Sequence, residues 1–87
     1  MIPYIHISID TEVPGGAAYI RFSREKAMRQ DPLDTECTVC VDLDASGKPV
    51  GIELTVLDQY SFELAAQAGK KYGLKVPDLG RAALAVA

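Results

Sequence analysis

The apolar positions alternate along most of the first two thirds of the chain and change period in the last third. From Ile2 to Ile9, Ile5, Ile7 and Ile9 fall on one side and Tyr4, His6 and Ser8 on the other, the pattern of a half-buried strand. Asp10-Thr11-Glu12-Val13-Pro14-Gly15-Gly16 breaks it, because proline cannot donate to a ladder and glycine opens positive φ. A phosphate cradle at Gly15-Gly16 is disfavoured, since no helix pattern follows it. Ala17 to Ser23 alternates again, with Ala18, Ile20 and Phe22 inward and Tyr19, Arg21 and Ser23 outward. Arg24 to Gln30 reads equally as a short helix or a short strand, ended by Asp31-Pro32.

The clearest stretch is Val39 to Leu57, VCVDLDASGKPVGIELTVL, in which two alternating runs flank a turn-forming cluster. It predicts a β-hairpin with Cys37, Val39, Val41 and Leu43 on the same face as Val50, Ile52, Leu54 and Val56. Joining the two apolar sets pairs Leu43 with Val50, Val41 with Ile52 and Val39 with Leu54. That register asks for an even loop, Ala45 to Lys48, with Gly47 in the left-handed conformation. Beyond Leu57 the spacing becomes helical: Tyr60, Leu64, Ala68 and Tyr72 recur every four residues beside Ala65, with Asp58 or Ser61 as the cap and Gly73 as the close. Pro77 then suits the first turn of a short helix with Leu79, Ala82, Ala83 and Val86 as its stripe. The expected fold is a single α+β domain over 1-87. An antiparallel four- or five-stranded β-meander (about 2-57) packs against one α-helix, with a short C-terminal helix in the remainder (about 58-86).

At 87 residues there is room for one core, and a chain of this size buries only about 60–65% of its unfolded surface. Association with a second copy is therefore an expected source of further burial. The net charge of −3 and the scattered lysines and arginines argue against a nucleic-acid partner, whose phosphates need cations gathered on one face. The apolar runs are too short for a membrane span and the N-terminus lacks a basic leader, so no membrane partner and a cytoplasmic location are expected.

Asp42-Leu43-Asp44-Ala45-Ser46-Gly47 with Glu53 matches the oxygen-ligand spacing of an EF-hand calcium loop. The flanks are β-branched and alternating, Pro49 occupies a position that EF-hands give to an aliphatic residue, and no second hand is present. A hairpin turn carrying solvated acids is favoured, with no metal and no cofactor. Cys37 and Cys40 form a C-x-x-C, but on a strand their sulfurs point to opposite faces and no further cysteine completes a zinc site. A buried Cys37 and a half-exposed Cys40, both reduced, are expected. His6 is the only histidine, and the sequence supplies it with no identifiable nucleophile or orienting acid. The outward row Tyr19-Arg21 reads either as a contact surface or as ordinary cross-strand pairing. With Asp42, Asp44 and Glu53 it makes up the candidate binding surface.

AAYIRFS and VCVDLDASGKPVGIEL also resemble the motifs of DUF2283, a family of small bacterial proteins of unknown function. Ala17, Tyr19, Ile20 and Arg21 match the first motif, and Val41, Asp42, Asp44, Gly47, Val50, Gly51, Ile52, Glu53 and Leu54 match the second. The likeness spans roughly residues 1 to 57. It departs at Gly16, where the family has an acid, and between Ser23 and Cys37, where the chain is longer. The resemblance implies a β-meander on a C-terminal helix and supplies no activity. The function expected is that of a non-enzymatic interaction or oligomerisation module, a homodimer or larger assembly, with an unidentified protein partner also open. The alternative is a small-ligand or calcium-binding regulatory domain.

Overall fold

The computed structural model describes residues 1–86; of residues 83–86 only the backbone is described. Seven strands and two helices follow in the order β1 (Ile2–Pro3), β2 (His6–Asp10), β3 (Ala17–Arg21), β4 (Arg29–Pro32), β5 (Val39–Leu43), β6 (Pro49–Leu54), α1 (Gln59–Tyr72), β7 (Leu74–Lys75) and α2 (Leu79–Val86). The architecture is α+β: a five-stranded antiparallel sheet, in spatial order β2-β3-β6-β5-β4, packed against α1 and the short C-terminal helix. Consecutive strands pair within β2-β3 and within β4-β5-β6. Between these two groups the chain passes around the turn end of the β5–β6 hairpin, where Phe22 N–H donates to Val50 O (2.8 Å) and Met28 N–H to Leu43 O (2.7 Å). The ambiguous segment after Ser23 thus forms a connection and then the edge strand β4.

The alternation sets what lies inside. Ala18, Ile20, Phe22, Val39, Val41, Ile52 and Leu54 project from one face of the sheet onto Leu64, Ala65 and Ala68 of α1, and all are buried. Side chains at period two and period 3.6 meet here because each supplies a single apolar stripe. The helical stripe is rotated from the expected one: Ser61, Leu64, Ala65, Ala68 and Gly69 are the buried residues of α1, and Tyr60 is exposed. In α2, Leu79 is buried as expected, whereas Ala83 and Val86 lie outside the residues whose side chains are described.

The first predicted strand is two. Ile2–Pro3 pairs in parallel with Leu74–Lys75, tying the N-terminus to the end of α1, and the ladder of the main sheet begins at His6. The hairpin register holds at Val39↔Leu54 and Val41↔Ile52 but shifts beyond Asp42, so that Leu43 faces Pro49 rather than Val50. The cause is the loop. Asp44 N–H donates to Lys48 O (2.8 Å), which leaves three residues, Ala45 to Gly47, in the turn instead of four. Gly47 adopts φ 86°, as a three-residue hairpin loop requires. The odd count is absorbed by a bulge at Val50, whose carbonyl accepts from both Phe22 and Ser23.

The cysteine assignment is reversed. Cys37 precedes β5, at φ 56°, and is exposed, while Cys40 is buried. The strand starts two residues later than its apolar pattern suggests, because Asp34 closes a turn by accepting from Thr38 N–H at 2.7 Å.

Candidate functional site

The face of the sheet opposite α1 carries two rows of side chains. Across the strands one row runs Ser8, Tyr19, Glu53, Cys40, Pro32, and the next runs His6, Arg21, Gly51, Asp42, Gln30. Residues directly opposite on neighbouring strands share a face and touch, so the ladder alone brings Tyr19, Arg21, Asp42 and Glu53 to one surface. Asp44 is not on it.

Tyr19 leans diagonally from β3 across β6 to donate its phenol to Asp42 Oδ2 at 2.7 Å. It can do so only because residue 51 is glycine: a Cβ there would overlap the phenol itself. Asp42 accepts a second hydrogen bond from Gln30 Nε2 at 2.9 Å, and the same amide lies 3.5 Å from Glu53 Oε2. The Asp42 side chain is thereby enclosed on a face that no helix covers, with 8% of the residue exposed. Burial of Tyr19, reinforced by its hydrogen bond to Asp42, raises the phenol far above its ordinary pKa of 10.0. It remains a donor at every physiological pH. Arg21 stacks on the Tyr19 ring with its guanidinium carbon 5.6 Å from the centroid.

Asp44 is occupied by its own turn. Its Oδ1 accepts from Ser46 Oγ (2.7 Å), Ser46 N–H (2.9 Å) and Lys48 N–H (2.9 Å), and the Ser46 hydroxyl, followed by the Lys48 backbone bond, lowers its pKa. The acids of the calcium-like spacing therefore serve different structures: Asp42 the outer-face network, Asp44 the loop, and Glu53 the row beside Tyr19. Among the described residues no three His, Cys, Asp or Glu side chains are grouped to share an ion. Cys40 lies under the same face, where burial and the neighbouring Cys37 push its thiol up to about 11. Such a thiol is almost wholly protonated at neutral pH and a poor nucleophile.

Two features were not anticipated from the residue pattern. Gln30, from the segment of ambiguous structure, completes the Asp42 network. Gly51 read only as an outward strand glycine, and its role is to admit the Tyr19 ring. An isolated glycine inside a strand pattern does signal close approach of another group, so the second was available in the sequence.

No family model, no curated protein and no solved structure matches this chain.

Proposed function

We propose that the chain is a non-enzymatic interaction module that pairs with a second copy of itself through the free edge of β2. The observation that carries this reading is the contrast between the two edges of the sheet. β4 is blunted: it contains Pro32, exposes Arg29, and turns Asp31 to the helix-bearing face, where Lys71 Nζ and the Tyr72 hydroxyl hold it. Proline, charge and an inward acid are the devices by which sheets avoid edge pairing. β2, HISID, has none of them before its last residue. The segment that holds it is also rich in apolar exposure: of seven large exposed hydrophobic residues among those described, Met1, Ile2, Tyr4, Ile5 and Val13 belong to the first 13 residues.

An antiparallel β2–β2 pair centred on Ser8 keeps both faces of the sheet continuous. Ile7 then meets the second copy's Ile9 on the core face, and His6 meets its Asp10 on the outer face, so apolar faces apolar and base faces acid. Such isologous pairing is the commonest geometry of small homo-oligomers, and the result is a ten-stranded sheet. The stretches that resemble DUF2283 motifs lie in β3 and the β5–β6 hairpin, interior to this arrangement, and are consistent with a role in building the sheet.

Analytical ultracentrifugation tests the reading with Ser8→Lys, which sets two like charges opposite each other, and with Gln67→Lys, which adds the same charge to the exposed side of α1. The expected result is a dimeric parent, a dimeric Gln67→Lys and a monomeric Ser8→Lys. A parent chain that stays monomeric at about 100 μM, a concentration at which pairs of only μM affinity persist, would sink the proposal.

A further inference from the structure

We propose that the hollow between the start of β2 and the end of β3 is an anion site that takes a phosphomonoester through Arg21, Arg24 and His6. The hollow, about 340 Å³, is lined by Ile5, His6, Arg21 and Arg24. His6 and Arg21 are direct partners across the β2–β3 ladder, so their side chains leave the sheet side by side on the outer face. Arg24 reaches the same hollow from the connection that follows β3. The chain as a whole is acidic, with net charge −3, yet no acid lines this cavity. Among the described residues the one ion pair joins Lys71 to Asp31, so neither guanidinium is neutralised by a carboxylate.

The site is partly set in advance. Arg21 Nη1 donates to the Ser23 carbonyl at 3.0 Å and the guanidinium stacks on Tyr19. These two holds fix the plane of the fork and leave its other N–H donors for a ligand. His6 Nε2 lies 3.1 Å from Ser8 Oγ, which orients the ring and leaves Nδ1 open. Two guanidinium groups and an imidazole line one hollow, and together they offer more donors than one planar group can use, which suits a tetrahedral dianion. A planar carboxylate is satisfied by one guanidinium fork and would leave the second uncompensated. Ile5, 46% exposed, adds an apolar wall, so an ester with an apolar body fits better than the bare ion. This inference does not rest on β2 pairing: that pair would set the second copy's Asp10 opposite His6, so Arg21 and Arg24 carry the site in either state and His6 joins them in the unpaired chain.

The test is a titration of the full chain with phenyl phosphate, inorganic phosphate and benzoate at constant ionic strength, followed by backbone amide NMR shifts. Saturable shifts centred on residues 5–8 and 21–24 are expected, tightest for phenyl phosphate and weakest for benzoate. Arg21→Gln and Arg24→Gln should each weaken phenyl phosphate about tenfold, the effect of one lost charge-assisted contact. Lys70→Gln, which removes the same charge from α1, should change it by less than about twofold. Arg24 is exposed and makes no side-chain hydrogen bond or ion pair among the described residues, so its variant decides the matter if Arg21→Gln loosens the fold. Unsaturable shifts, or an equal loss in Lys70→Gln, would reduce the effect to general charge attraction and overturn the site. Benzoate binding as tightly as phenyl phosphate would overturn the phosphate assignment.

Discussion

The outer-face network turns on two residues whose chemistry depends on each other. Tyr19 gives Asp42 one of its two hydrogen bonds, and Gly51 leaves the space in which the phenol lies. Tyr19→Phe should destabilise the chain by about 1–3 kcal/mol, since it leaves an enclosed carboxylate short of a donor. Gly51→Ala should cost a similar amount, about 1–3 kcal/mol, by displacing the ring. Urea denaturation of both single variants and the double variant checks the coupling: with the ring displaced, the two costs should fail to add. The cysteines give a second test at this scale. Cys37 should be alkylated in the native chain while Cys40 stays protected until unfolding, as intact-mass measurement would read directly. The sequence placed Tyr19, Asp42 and Glu53 on one surface because alternation and register determine facing. It misplaced the cysteines because burial there follows from where the strand begins, and that is set by a hydrogen bond from Thr38 N–H to the Asp34 carboxylate that leaves no trace in the apolar period.

Elements show the same division between what pattern carries and what single contacts decide. The helix start was legible: Asp58 caps α1 by accepting from Ser61 N–H at 2.8 Å, and the Ser61 hydroxyl returns a bond by accepting from Asp58 N–H at 3.1 Å. Both residues named as possible caps belong to one capping box. Asp58→Ala should cost about 0.5–2 kcal/mol, measured as a shift of the urea midpoint at constant slope. The hairpin was legible to within its loop, since counting residues cannot separate a four-residue loop from a three-residue loop plus a bulge. β4 was not legible, because a four-residue edge strand with one half-buried position has no period to read. What holds it is Asp31, whose pKa is lowered chiefly by its hydrogen bond to Lys71 and then by the one to Tyr72. A carboxyl depressed on folding stabilises the native state above its unfolded pKa, and that contribution fades as pH falls through the lower native value. Asp31→Asn should therefore destabilise the chain at pH 7 and converge on the parent in acid, below the ordinary value of 3.8. A loss that persists unchanged at pH 2 would show that the carboxylate charge is not what ties β4 to α1.

For the whole molecule, the two sheet edges differ in kind, and so does their expected response to concentration. An 87-residue chain has little burial in reserve, and five of the seven large exposed apolar side chains among the described residues belong to the segment that holds β2. If folding and β2 pairing are linked, unfolding consumes one dimer to yield two chains, and mass action makes the transition temperature depend on total protein. Each tenfold rise in concentration should then raise Tm by about 3–5 °C for a domain of this size. Ser8→Lys should flatten that dependence and unfold at the temperature to which the parent tends on dilution. Removing one blunting device from the other edge supplies the contrast. Pro32→Thr restores a backbone donor to β4 without touching β2, so its Tm should keep the parent's slope with concentration. A steeper slope in that variant would mean that proline, rather than the inward Asp31, is what keeps the β4 edge from pairing. An unchanged slope would assign that protection to the Asp31–Lys71–Tyr72 tie, which an incoming strand would have to break before it could dock.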